Sequence, residues 1–250
     1  MNIGIVGLGE TGKSLAEIYA DHPQYRIFSK DLDFDEIQEV EILNICIPYN
    51  EKFLPTVTEK ASSSDKIIIH STVPVGVTRK VFEATGISVC HSPIRGIHPH
   101  LYEGLKTFVK YVGPVNHGDA PIFKAHLESL GMKSEVFSSP ETTELAKLLS
   151  TTYYGICIAW HGEMGKMCQE HGLDFTEVVS EFNKTYNQGY TELGKLNVVR
   201  PELYAPEKHI GGHCVIPNAK ILFDLFPSTL VEGVLEYALP EDAIPETLGD

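Results

Sequence analysis

The opening residues, MNIGIVGLGETGKSLAEIYA, set a short apolar strand directly before a glycine-rich turn and an amphipathic stretch directly after it. That order reads as strand, tight turn and helix, the opening of a parallel sheet with crossover helices. The turn itself, GLGETGKS from Gly7 to Ser14, satisfies two phosphate-binding patterns at once. As G-x-G-x-x-G, its Gly7, Gly9 and Gly12 bring backbone against the pyrophosphate of a dinucleotide. As G-x-x-x-x-G-K-S, its Gly7, Gly12, Lys13 and Ser14 hold a nucleoside triphosphate.

Each reading needs a distant partner. A triphosphate loop requires a later apolar strand that ends in a metal-holding aspartate, and neither EILNICIP nor KIIIHST ends in a carboxylate. A dinucleotide turn requires an acid about 20 residues on, to take the ribose hydroxyls at the tip of the second strand. YRIFSKD supplies Asp31. On this reading Thr11 lies in the cofactor turn and Lys13 is a solvated helix charge. Glu10 must point away from the pyrophosphate. The alternation Tyr25, Ile27 also leaves Ser29 or Lys30 open as the ribose residue, and a Ser-Lys pair would suit a 2′-phosphate. NAD is therefore the expected cofactor, with NADP as the alternative.

Up to about Pro140 the chain alternates apolar, β-branched runs with amphipathic ones. Strands are expected at Ile3–Gly7, Tyr25–Phe28, Ile42–Ile47, Lys66–His70, Ile87–Cys90, Phe108–Val112 and Ser134–Phe137. Helices are expected at Gly12–Ala20, Glu51–Ala61, Val77–Ala84 and Asp119–Leu130. The assembly is α/β, a Rossmann-type doubly wound parallel sheet. Ser138-Ser139-Pro140-Glu141 then starts a helix, and apolar residues from Leu145 to Met167 keep helical spacing for about 30 residues, well beyond an ordinary globular helix. Asp174–Asn187, Ala219–Phe226 and Thr229–Tyr237 read as further helices and Gly189–Lys208 as irregular. The expected organisation is a cofactor domain over residues 1–139, a small all-α domain over 140–238 and an acidic tail over 239–250.

Composition limits the partners. A formal net charge of −14 argues against nucleic-acid and anionic-membrane surfaces, which call for clustered cations. No apolar run approaches the roughly 20 residues of a bilayer span, and the first residues lack a signal-peptide pattern. A cytoplasmic protein with a small-molecule substrate is the expectation. The five cysteines are odd in number and without C-x-x-C spacing, which disfavours a disulfide framework or zinc ribbon.

Three further stretches carry a resemblance. HSTVPVGVTRKVFE (70–83), ETTELAKLLSTTYYGICIAWHGEMGKMCQEHGLD (141–174) and IGGHCVIPN (210–218), in this order after the glycine turn, resemble the nucleotide-sugar 6-dehydrogenases, the UDP-glucose, UDP-N-acetylmannosamine and GDP-mannose dehydrogenase family. The resemblance implies four-electron oxidation of a sugar primary alcohol with NAD, through an aldehyde held on a cysteine as a thiohemiacetal. Cys214 occupies that cysteine's position, with His213 beside it. Thr72 and Pro48 match residues lining the cofactor cleft, and the long helix implies a homodimer. Departures are many. Ile94 and Arg95 stand where the family has its catalytic glutamate, Cys157 replaces its lysine, His161 its asparagine, and Asn218 the aspartate after the cysteine. The chain also stops at Asp250, before the family's C-terminal nucleotide-sugar domain would follow.

Two other readings stay open. Lys147 and Thr151, one helical turn apart, resemble the Lys and Asn of β-hydroxyacid dehydrogenases, in which that lysine moves the hydroxyl proton of a two-electron step. The chain could also bind a dinucleotide without catalysis. Arg95 with His98 suits an anionic substrate group, and His161 and Asn218 join them as substrate-site candidates. The histidines His91, His98, His100, His209 and His213 lack strong ligand spacing apart from His209-x-x-x-His213, so no metal is expected.

Overall fold

The computed structural model describes residues 1–97 and 99–239. The described residues form two compact units, one up to Lys147 and one from Leu148 onward.

The first unit is built on a seven-stranded sheet. Its strands are β1 (Asn2–Val6), β2 (Arg26–Lys30), β3 (Val40–Ile45), β4 (Ser64–Ile69), β5 (Ser88–His91), β6 (Lys110–Pro114) and β7 (Ser134–Val136), in the order β2-β1-β3-β4-β5-β6-β7. All neighbours are parallel except β5 and β6, which pair antiparallel through Cys90 with Pro114 and His91 with Gly113. The sheet is thus the expected doubly wound one with a single reversal at β5/β6.

Because successive strand residues face opposite sides, each face has its own core. Ile3, Ile5, Ile42, Ile68 and Cys90 pack with Leu15 and Ile18 of α1 (Glu10–Ala20), Leu101 and Leu105 of α4 (Leu101–Thr107), and Phe123 and Leu127 of α5 (Ala120–Ser129). Val6, Leu43, Ile45, Ile67, Ile69 and Val89 pack with Phe53 and Val57 of α2 (Phe53–Ala61) and Val77 and Val81 of α3 (Val77–Thr85).

Several elements differ from the sequence reading: β6 starts two residues later than expected, and the helix expected over Asp174–Asn187 runs on to Glu192, into the stretch expected to be irregular. Helix α1 starts at Glu10 rather than Gly12. Helix α4 lies in a stretch read only for its histidines and arginine. The last long helix of the second unit starts four residues early, as described below.

Helix α6 (Pro140–Glu170) begins in the first unit and runs 31 residues, about 46 Å at 1.5 Å per residue. Its start follows the expected cap: the Ser139 hydroxyl accepts the Thr142 N–H at 3.3 Å, and Pro140 is the first helical residue. In the second unit its small residues admit neighbours. A Cβ at Gly155 would stand 2.6 Å from Val215, and one at Gly162 would stand 2.5 Å from the Tyr237 hydroxyl. A π-helical stretch (Thr176–Glu181) continues directly into α7 (Phe182–Glu192); α8 (Val215–Leu225) and α9 (Thr229–Leu235) close the unit. Helix α8 was expected from Ala219. Pro217 does not bar the earlier start, because the first-turn amides of a helix have no intrahelical partner to lose. Apart from Leu239, the expected acidic tail lies outside the described residues.

Candidate active site

The order β2-β1-β3 reverses the direction in which strands are added, so a switch point lies between the carboxyl ends of β1 and β3, where open α/β sheets bind ligands. The glycine turn sits there. Gly7 has φ +93°, a left-handed conformation that disfavours any side chain. A Cβ on Gly12 would stand 1.9 Å from the Gly7 carbonyl oxygen, so this glycine is what lets α1 pack on the turn. Gly9 caps the helix, is exposed, and would meet nothing within 4 Å if it carried a Cβ. Its openness leaves backbone accessible beside the amides of the first turn of α1, which includes half-buried Thr11.

This geometry decides between the two phosphate patterns. In a triphosphate loop the lysine and hydroxyl residue stand where the helix begins. Here α1 has already begun at Glu10, so Gly12, Lys13 and Ser14 lie inside it, with Ser14 buried and Lys13 exposed. Asp31 stands directly after β2, and its Oδ2 accepts the Leu8 N–H of the turn at 3.3 Å. The Gly7 N–H donates to the Lys30 carbonyl at 2.8 Å, so turn and acid are fixed to each other. Positive-φ Gly7, open Gly9, the α1 amides and the Asp31 carboxylate together fit a dinucleotide.

Exposed Pro48 follows β3 and half-buried Thr72 follows β4. Their loops are joined by the Ser71 hydroxyl, which donates to the Ile47 carbonyl at 2.6 Å. His91 braces them from β5, with Nε2 3.1 Å from the Ser71 carbonyl and Nδ1 2.8 Å from the Thr143 hydroxyl. Lys147 Nζ donates to the Ile94 carbonyl at 3.0 Å, in the segment after β5. Arg95 is engaged locally: its guanidinium lies 5.2 Å from the Tyr111 ring centre and 5.7 Å from that of Phe108, with Nη1 donating to the Val109 carbonyl at 3.4 Å. His98 lies outside the described residues.

A buried polar chain missed in the sequence underlies this edge. Lys110 Nζ meets the Ser92 carbonyl, the Pro93 carbonyl (3.1 Å) and His70 Nδ1 (3.0 Å). With the ammonium donating to all three, His70 Nε2 donates to Asn44 Oδ1 (2.9 Å), Asn44 Nδ2 to the Tyr19 hydroxyl (3.2 Å), and Tyr19 to His126 Nε2 (2.7 Å). Burial lowers the Lys110 ammonium to about 7, lowers His91 to about 3 and His126 to about 4, and takes His70 well below its ordinary range. The available signal was a lysine inside the apolar run FVKYVGP and histidines ending two strands.

In the second unit, Cys214 is the N-cap residue of α8 and half-buried, preceded by exposed His213 and by Gly212 at φ +86°. Asn218 is buried on the same helix. His161 is buried on α6, with Nδ1 2.6 Å from the Cys157 carbonyl and Nε2 without a hydrogen-bond partner. Among the described residues no group of three or more His, Cys, Asp or Glu side chains is gathered as a metal site.

Residues 141–235 match the UDP-glucose/GDP-mannose dehydrogenase family, central domain. The match shows that this segment is similar to that family's central domain. It contains Cys214, Lys147 and the length of α6 from Glu141. Over more of the chain, the UDP-N-acetyl-D-mannosamine dehydrogenase of Methanococcus maripaludis (strain C7) is 26% identical across 60% of this chain and 32% of its own length. The enzyme of that name from Methanocaldococcus jannaschii is 23% identical across 71% of this chain and 43% of its own. The chain therefore spans a third to under half the length of these curated relatives.

Solved structures show the same fold. The UDP-D-ManNAc dehydrogenase of Pyrococcus horikoshii superposes with a TM-score of 0.76 at 18% identity, covering 95% of this chain and 68% of its own. The 3-hydroxyisobutyrate dehydrogenase of Mycobacterium tuberculosis superposes with a TM-score of 0.68 at 14% identity, covering 94% of this chain and 91% of its own.

Proposed function

We propose that this chain is an NAD-dependent oxidoreductase acting on an alcohol of a sugar or sugar-like anionic substrate. The observation that carries the reading is the glycine turn at the switch point, with Gly12 packed on the Gly7 carbonyl and Asp31 bonded to the Leu8 amide. A bound dinucleotide supplies the hydride acceptor. The chain supplies the rest: the α1 amides and Gly9 receive the pyrophosphate, Asp31 takes the ribose hydroxyls, and Thr72 and Pro48 line the nicotinamide half. Cys214 is the candidate nucleophile, with its sulfur bonding the aldehyde carbon as a thiohemiacetal, and His213 stands beside it. A thiol at a helix N-terminus lies where negative charge is favoured. Arg95, His98, His161 and Asn218 are the substrate-site candidates.

A second reading rests on two observations. Lys147 Nζ is held at the Ile94 carbonyl, in the segment where the first reading lacks its glutamate, and the chain matches nearly the whole length of a 3-hydroxyisobutyrate dehydrogenase structure. Here Lys147 takes the hydroxyl proton in a two-electron step and Cys214 is a bystander. Turnover of Cys214→Ser and Lys147→Met on nucleotide-sugar and β-hydroxyacid panels separates the two. Loss in Cys214→Ser alone supports the first reading, and loss in Lys147→Met with full Cys214→Ser turnover supports the second. NADH binding without turnover of any alcohol contradicts both and leaves a binding protein.

The assembly we infer is a homodimer through α6, on which Leu149, Tyr153, Trp160 and Met167 form an exposed apolar stripe. Five cysteines, odd in number and without C-x-x-C spacing, suit a reducing compartment, and we place the protein in the cytoplasm.

A further inference from the structure

The end of β2 carries a contact that bears on which dinucleotide the turn accepts. Asp35 folds back on Lys30 through an isolated antiparallel bridge, tightened by the Asp31 N–H on the Phe34 carbonyl (3.0 Å) and the Glu36 N–H on the Ser29 carbonyl (2.9 Å). Within this turn one carboxylate oxygen, Asp35 Oδ2, lies 3.5 Å from Lys30 Nζ and 2.5 Å from Lys60 Nζ of α2. The other oxygen accepts the Ile37 N–H at 3.2 Å. Burial pushes the Asp35 carboxyl up, but the Lys60 and Ile37 hydrogen bonds and the two ammonium charges outweigh it, so it titrates below its ordinary range. Lys60 has a second acid, Glu59 Oε1 at 2.8 Å; no other salt bridge of Lys30 is resolved among the described residues.

We infer that Asp35 is a cofactor-specificity residue: by holding Lys30 it withholds the ammonium group that a ribose 2′-phosphate would need, and so selects NAD over NADP. The inference rests on the dinucleotide reading of the glycine turn and extends it to a residue outside that motif. A 2′-phosphate carries close to two negative charges and is accepted where a free cation faces it. At this edge Asp31 presents a carboxylate, fixed to Leu8 N–H, to the ribose. The adjacent Lys30 could reverse that preference, and Asp35 keeps it engaged. Lys30 therefore reads as an NADP signal in the sequence while its charge is spent on a residue five positions later.

Calorimetric titration of NADH and NADPH into the full chain tests this. Wild type binds NADH and prefers it to NADPH. Asp35→Asn keeps the acceptor for the Ile37 amide but loses the charge, and tightens NADPH about tenfold, the size of one freed charge-assisted hydrogen bond, with NADH changed less than about twofold. Adding Lys30→Ala to Asp35→Asn removes the gain. Asp35→Ser serves as the second charge-free variant should Asn loosen the turn, and the same pair of affinities is read. A wild type that prefers NADPH, an unchanged NADPH affinity in a variant that still binds NADH, or a gain that survives Lys30→Ala overturns the inference. A wild type that binds neither dinucleotide overturns the reading of the turn itself.

Discussion

Three glycines within one six-residue stretch do three different jobs, and substitution separates them. Gly12→Ala places a methyl 1.9 Å from a backbone oxygen that cannot move without breaking β1 or α1. It should cost about 3 kcal/mol, the upper end for overpacking a core, and abolish NADH binding, both readable by urea unfolding and titration. Gly9→Ala meets no protein atom, and its φ of −61° suits alanine. It should leave the unfolding midpoint unchanged yet weaken NADH, because the space it fills is the ligand's. An unaltered NADH affinity in Gly9→Ala would place the pyrophosphate elsewhere. Lys110 gives a pH signature of its own. An unfolded lysine holds its proton up to about pH 10.5, while the buried one releases it near 7. Between these values the unfolded state binds more protons, so stability rises with pH, by up to about 1.4 kcal/mol per pH unit. Below pH 7 the cost of the buried ammonium is felt in full. Lys110→Met should flatten the rise between pH 7 and 10, measured as unfolding free energy against pH. Acidification below about 6.5 should destabilise both proteins, because His91 and His126 take up protons there in the unfolded state while the buried rings stay neutral until about 3 and 4.

At the level of elements, α3 depends on a group from another helix. Its N-cap, Gly76, has φ +91° and no side chain to offer, and the buried Glu144 of α6 accepts both the Gly76 N–H (2.6 Å) and the Thr78 N–H (2.8 Å). Glu144→Ala leaves one buried and one half-buried donor without this acceptor and should cost about 1–3 kcal/mol in thermal or urea unfolding, whereas Glu144→Gln keeps an acceptor and should cost less. An Ala variant as stable as wild type would contradict this role. Elements with a strong local signal were legible in the sequence: the seven apolar runs, the Ser-Ser-Pro-Glu start of α6, and the turn with Asp31 downstream. What was not legible depends on partners distant in sequence. Nothing near Glu144 marks it as the cap of α3, and nothing near Lys110 names the Ser92 and Pro93 carbonyls it meets. Helix α4 is seven residues long, and the His-Pro-His stretch before it offers no capping side chain to mark its start. In the sequence Lys30 stays open as a ribose-site alternative, because its counterion Asp35 stands beyond a turn that alternation does not describe.

On the scale of the whole molecule, the apolar stripe of α6 and the net charge of −14 set the expected behaviour in solution. Trp160, the chain's single tryptophan, lies on that stripe and is 54% exposed. Dilution of a dimer should therefore red-shift its emission together with a fall in mass by light scattering, and Trp160→Glu should give a monomer that still binds NADH. A wild-type monomer at all concentrations would rule out this interface. Everything said of the site follows from the first turn of this chain receiving a dinucleotide and not a triphosphate. Parallel calorimetric titrations of the intact protein with NADH and with ATP–magnesium address it most directly. Saturable one-to-one binding of NADH with no heat of binding for ATP–magnesium is the expected result; tight ATP–magnesium binding with none for NADH would overturn the dinucleotide reading.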